Sequence, residues 1–486
     1  MRMLRRSDVI VVGAGAAGLT AARALAAAGR DVLVLEARQR VGGRTLNVEI
    51  PGSDTYVEVG GMWVGPGQRQ VSALLTELGF STYPTYDQGA NIAEFGGRIR
   101  RYRGRIPRLN PFVLADIGLT RLQLERSARR VPLREPWTAP HAKTLDGQTF
   151  DTWLREHSRT RTGHAFFRLV TQAVWCAEPE EMSALWAQFY IHSGGGLDSL
   201  IDTRGGAQQD RVVGGTQRLF IAMAEELGER VVLGAEVSEI EWGDHGVRVR
   251  AGKQRWQARH AIIAIPPPLV ARIRFTPDLP TERTQLLHRL PMGQTIKVNA
   301  IYDEPFWRTR GLTGQANSDR RALGTVFDAG PPDAEPAVLV GFLEATHAQT
   351  AARLTPKQRR DMVLDDLAAY FGPKARYPVH YIEQDWTTEP YSRGCYGAFA
   401  TPSALTRFGP ELRRPTGPLH WAGTETAIHW AGYIDGAIES GQRAAREILS
   451  AATPLDRSIE CHVYTDKVYI PTRYIPPSPS IPRCSI

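Results

Sequence analysis

Near its amino terminus the chain reads Asp8-Val-Ile-Val-Val-Gly13-Ala-Gly15-Ala16-Ala17-Gly18-Leu. Val9 to Val12 is the short apolar run that a buried parallel strand needs, and Leu19 to Ala28 is alanine-rich and helix-favouring, ending at Gly29. Asp31-Val-Leu-Val-Leu-Glu36 then supplies a second buried-type strand. A strand, a glycine turn, a helix and a strand form a βαβ unit, so this part of the chain must build a parallel sheet with a helix crossing over it. Gly13 permits the tight turn, Gly15 lets a phosphate approach the backbone, and Gly18 lets helix and strand pack closely. The start of the helix, where Ala16 and Ala17 lie, favours negative charge. Glu36 ends the second strand 18 residues beyond Gly18. There its carboxylate can accept from ribose hydroxyls and would repel a 2′-phosphate, so a dinucleotide other than NADP is expected.

At 486 residues the chain is too long for one simple core and is expected to form two domains. Hydrophobic content of 42% and charged content of 23% are ordinary for a globular enzyme. The net charge is +8, with its densest cluster at Arg98, Arg100, Arg101, Arg103, Arg105 and Arg108. No aromatic platform accompanies that cluster, so it is taken as a solvated face rather than a nucleic-acid site. The four cysteines, Cys176, Cys395, Cys461 and Cys484, show neither disulfide-framework nor metal spacing, which fits a reducing cytosol and no metal. No secretory leader and no membrane-length apolar window is present, so a soluble, cytoplasmic protein is expected. Helices are expected at Leu145–His157, His164–Glu178, Pro356–Phe371 and Gly436–Leu449. Strands return from Arg230 to Ile265, and the proline-rich stretch 453–486 is expected to be extended or disordered.

The segment after Glu36, Ala37-Arg38-Gln-Arg-Val-Gly42-Gly43-Arg44, resembles the second glycine motif of the FAD-dependent amine oxidase superfamily, whose arginine contacts the diphosphate. Gly60-Gly61-Met62-Trp63, Ser183-Ala-Leu-Trp186, Pro291-Met-Gly-Gln-Thr-Ile-Lys297 and Glu304-Pro-Phe-Trp307 are similar to flavin monoamine oxidases. So are Gly394-Cys395-Tyr396 and the stretch Gly423-Thr424-Glu425 through Gly432-Tyr433-Ile434. The likeness spans about residues 8 to 450. It implies an α/β fold: a discontinuous Rossmann-like FAD-binding domain (1–79, 211–291 and 386–452) with an inserted mixed sheet-and-helix substrate domain (80–210 and 292–385). The cofactor implied is FAD. A second GxGxxG after a strand is missing, so reoxidation by O₂ is favoured over an NADPH-fed reductase.

The same resemblance assigns roles. Lys297 would hold a water near flavin N5; alternation in Thr295-Ile-Lys-Val-Asn puts it on the opposite face from Ile296 and Val298. Tyr396 and Tyr433 match the tyrosine pair flanking the substrate nitrogen, and two electron-rich ring faces can orient an amine. Cys395 falls where monoamine oxidases carry a thioether to the flavin, so a covalent bond is expected there. The helix start after Gly432-Tyr433-Ile434 would face the pyrimidine end of the flavin, Trp386 would pack against its rings, and Val237 completes the cofactor set. The partners implied are a small amine and O₂, with no nucleic acid and no membrane anchor; a homodimer is left open. Ala173-Val174, Leu200 and Arg204 to Gln208 match the family's substrate cavity less well. Glu335 lies near a gating position; it reads first as a surface-loop residue, and the alternative is that it receives the distal ammonium of a diamine. The reading is thus an amine oxidase yielding aldehyde, ammonia and hydrogen peroxide. An L-amino-acid oxidase, which needs an arginine clamp, a diamine oxidase and a non-catalytic flavin-binding scaffold remain as alternatives.

Overall fold

The computed structural model describes residues 5–104, 107, 109–333 and 335–451. The expected extended tail, with Cys461 and Cys484, lies outside the described residues, as do Arg105 and Arg108. Val9–Val12 and Val32–Leu35 pair in parallel, joined over one face by the helix Ala16–Ala27. Val231–Val232, His260–Ile263 and Leu419–Trp421 extend the sheet, so five parallel strands come from three distant stretches of chain. Every residue of the two leading strands is buried, as a sheet covered on both faces demands. Helices Ala16–Ala27, Gln217–Leu227 and Ile434–Ala451 share one apolar core with one face. A second five-stranded sheet, including Val237–Gly243, Gly246–Ala251 and Gln254–Ala258, covers the other through Ile10, Leu33, Val249 and Trp256.

A second body is built on a seven-stranded sheet, in spatial order His380–Asp385, Thr295–Tyr302, Ala337–Glu344, Leu323–Asp328, Leu312–Ser318, Ala90–Phe95 and Arg98–Tyr102. One face packs on helix Pro356–Phe371, which carries a Thr355/Gln358 capping box. The other faces a helical cluster that includes Phe150–His157, Arg161–Trp175 and Ala184–Ser193. Trp63–Val64, Asp210–Val212 and Thr82–Pro84 form a small antiparallel sheet where chain passes between the two bodies. The expected helix Leu145–His157 is two helices, Ala142–Gly147 and Phe150–His157, because the Thr149 hydroxyl accepts from the Thr152 amide and starts a new one. The expected helix His164–Glu178 runs Arg161–Trp175, opening on the Thr160 cap and closing where Cys176 turns left-handed.

Candidate active site

The carboxyl ends of the parallel strands open into a cavity of about 930 Å³, which continues between that sheet and the seven-stranded one. This is the crevice where ligands bind in doubly wound sheets. At one end the N-cap of helix Ala16–Ala27 is Gly15, with no side-chain cap and no acid in the first turn. The free amides there meet the cavity at Gly15, Ala16 and Ala17. Gly43 crosses so closely that a Cβ on it would lie 3.2 Å from the Gly15 Cα. Gly18 is not on the wall; its absent Cβ would sit 1.9 Å from the Gly13 carbonyl oxygen, so it serves the helix–strand contact. Glu36 is buried at the cavity edge and accepts from the Ala14 amide at 2.8 Å and the Arg38 amide at 2.9 Å.

Two of the second motif's three arginines, Arg38 and Arg44, line the cavity and pair with groups far along the chain. Arg38 donates to Glu389 at 3.1 and 2.6 Å and to Ser392 at 2.9 Å. Arg44 donates to Glu425 at 2.6 and 3.3 Å and to the Tyr396 carbonyl at 2.9 Å. Burial alone would raise the Glu425 pKa, but the Arg44 charge and hydrogen bonds outweigh it and hold the carboxylate below its usual range. Glu425 stands behind Arg44 rather than on the wall.

Lys297 lies on the cavity face of Thr295–Tyr302, while Ile296 and Val298 point into the opposite core. Its Nζ donates to the Gly60 carbonyl at 2.8 Å and to Met62 Sδ at 2.8 Å. Burial, without a direct carboxylate partner, pushes its pKa down to about 7; Glu58 opposes the fall and Arg211 adds to it. Trp63 and Phe342 flank the amine, with ring centroids 5.7 and 5.5 Å from Nζ. Tyr396 stands edge-on to Phe342 at 6.0 Å, and its hydroxyl donates to Glu344 at 3.1 Å. Tyr433 packs edge-on against Trp430 at 5.1 Å and lies 6.0 Å from Tyr190. Cys395 is buried on the wall between the two ends, and burial pushes its thiol up to about 12.

The structure brings Lys297, Tyr396, Tyr433 and Cys395 into one cavity with the glycine cradle, and places Gly42, Gly61, Val237, Gly423, Thr424, Gly432 and Ile434 on its wall. Trp386 does not reach it. That indole is buried one layer out and donates to the Val59 carbonyl at 2.8 Å, bracing the Gly60-Gly61 turn. Glu335 is exposed and off the cavity, so it cannot receive a distal ammonium there. Ala173, Val174, Leu200, Arg204, Ala207 and Gln208 do line the cavity. Sequence reading missed Glu344, Tyr190 and Phe342. Glu344 had a signal: it is the lone charge closing the apolar run Ala337–Glu344, all eight residues of which are buried.

These groups fit FAD. An uncapped helix start suits the diphosphate, Glu36 suits the ribose, and the cavity runs on from that cradle to a lysine and two tyrosines. Fold and site together define a flavin-dependent oxidoreductase. A family model described as flavin containing amine oxidoreductase matches residues 16–449. AofH of Mycobacterium tuberculosis, which carries the name of a flavin-containing monoamine oxidase, is 44% identical over 441 residues, 91% of this chain and 96% of that one. Amine oxidase [flavin-containing] B of Sus scrofa is 38% identical over 454 residues, covering 92% and 87%. The structure of a putrescine oxidase bound to putrescine superposes with a TM-score of 0.89 at 34% identity, over 92% of this chain and all of that one. The chain belongs to the flavin-containing amine oxidoreductase family, and its cofactor is FAD.

Among the described residues no helix is long and apolar enough to cross a membrane, and no cluster of three or more His, Cys, Asp or Glu is placed to hold a metal. Arg98, Arg101 and Arg103 are exposed on and beside the edge strand Arg98–Tyr102.

Proposed function

We propose that this member oxidises amines lacking a carboxylate, at a site where Lys297, Tyr396 and Tyr433 are the catalytic side chains. The observation that carries this reading is the single cavity joining the dinucleotide cradle to those three residues. FAD, when bound, would supply the two-electron acceptor for oxidation of the amine to an imine, which water hydrolyses to aldehyde and ammonia, with O₂ as the final acceptor giving H₂O₂. The two tyrosine rings orient the amine and exclude water. Lys297 holds its proton weakly, so it can bind a water at the same end. Arg44, neutralised by Glu425, ties the two halves of the cofactor site together. Cys395 is the proposed point of covalent attachment, and residues 1–79, 211–291 and 386–452 form the proposed cofactor-binding domain. Cys176, the other described cysteine, is a buried free thiol, which is compatible with the proposed cytoplasmic setting.

Against an amino-acid oxidase, Arg38 and Arg44 on the wall are both engaged by carboxylates, and Arg204 at the mouth pairs with Asp87. The test is peroxide release from a panel of amines and L-amino acids. Amine-dependent release without amino-acid turnover is expected, and the converse overturns the assignment. Acid precipitation checks the covalent bond: flavin is expected in the pellet for the native chain and in the supernatant for Cys395→Ala.

A further inference from the structure

Beyond the aromatic end the cavity wall changes character. Lys297, Phe342, Thr325 and Asn317 stand in one row across four neighbouring strands of the seven-stranded sheet, each paired with the next. With strands about 4.8 Å apart, the Asn317 backbone lies two strands, roughly 10 Å, from that of Phe342. The near half of the row is aromatic: Phe342, with Phe327 and Trp63 packed beside it. The far half is polar, with Thr325, Asn317, Gln315, Thr313 and Asn91 on the wall. Leu312, Ala316 and Val326, which alternate with them, fill the opposite core. The facing helix Arg161–Trp175 offers only apolar side chains there, including Leu169 and Val170.

Most of these polar groups are engaged with one another. Thr313 donates to Asn91 at 2.7 Å, the Tyr102 hydroxyl lies between Asn91 and Asn317, and Thr325 donates to Glu344 at 3.4 Å. Gln315 differs: its backbone amide donates to Thr313 at 3.0 Å, but its half-buried side-chain amide has no hydrogen-bond partner among the described residues. A half-buried amide that the fold leaves unpaired keeps its donor and acceptor available to a ligand in the cavity. The wall itself carries amides and hydroxyls rather than charge. The carboxylates nearest the mouth, Asp87 and Asp202, belong to the loops around Arg204, which pairs with Asp87 at 2.9 Å.

We infer that Gln315, with Asn317 and Thr325, forms a distal subsite for a neutral hydrogen-bonding group, a hydroxyl or a primary amide, at the far end of the substrate. Gln315 presents both a donor and an acceptor, which such a group can satisfy together and an ammonium cannot. The inference rests on the amine-oxidase reading, and one experiment separates them. Holoenzyme is assayed for peroxide release with hexylamine, aminohexanol bearing its hydroxyl at the far end, and hexanediamine. Aminohexanol is expected to show the highest kcat/KM, about tenfold above hexylamine and carried mainly by KM. In Gln315→Leu that ratio is expected to fall to about one, with flavin content and thermal melting reporting that the variant is folded; Asn317→Leu is expected to lower it as well. A native ratio at or below one, a ratio unmoved in both variants, or hexanediamine as the best substrate overturns the subsite. Turnover of none of the three by the native holoenzyme refutes the amine-oxidase reading instead.

Discussion

Replacing Lys297 with methionine should make the protein more stable at neutral pH, and the gain should disappear as pH rises. Burial lowers the Lys297 pKa from 10.5 to about 7. Between those values the unfolded chain holds a proton that the folded one has released, so folding stability rises with pH across that window. At 1.36 kcal/mol per pH unit, the native lysine opposes folding by about 4 kcal/mol at pH 7, about 2 at pH 9 and almost nothing above pH 11. Methionine is of similar length and removes this term. It also strands the Gly60 carbonyl, which the lysine now satisfies at 2.8 Å, at a cost of about 1–3 kcal/mol that does not vary with pH. The net expectation is a gain of about 1–3 kcal/mol at pH 7 that shrinks by about 2 kcal/mol on going to pH 9. Denaturant unfolding of both holoproteins at pH 7, 8 and 9 measures it. A variant less stable than the native chain at pH 7, or a difference that does not change with pH, would refute the reasoning. Activity should move the other way, with slower reoxidation by O₂ in stopped-flow mixing.

Glu344→Gln is the mirror case. Burial raises that carboxyl to about 8, so the native residue loses stability as pH climbs from the ordinary carboxylate range toward 8; the variant should gain on the order of 3 kcal/mol by pH 8 and little at pH 5, read by denaturant unfolding. Arg211→Met should destabilise by about 3–5 kcal/mol, because it abandons Glu58, which is buried and paired at 2.7 Å. Adding Glu58→Gln should recover much of that loss, and a double variant no better than the single one would show that the pair is not the cause. Gly18→Ala pushes a Cβ into the Gly13 carbonyl, so purified protein should carry severalfold less flavin by its visible absorbance; full occupancy would show that helix and strand can separate.

Local chemistry was legible from the sequence wherever one short segment carries all of it. The run Val9–Val12, the glycines at 13, 15 and 18, and Glu36 specify a strand, a turn and a helix start by propensity and backbone freedom alone, and they stand where that pattern requires. The alternation around Lys297 likewise foretold its face. What the sequence could not show is which distant groups meet. Arg44 finds Glu425 and Tyr396 finds Glu344 only because strands from three parts of the chain share one sheet and two sheets enclose one cavity. Nearness along the chain to a site does not say which layer a side chain enters: Trp386 is buried behind the Gly60-Gly61 turn, and Glu335 is exposed off the cavity. Glu344 and Gln315 match no motif, and their meaning comes from burial and from the partner each has or lacks. Propensity and spacing are local properties of the chain, whereas desolvation and pairing depend on what packs nearby, and only the tertiary fold decides that.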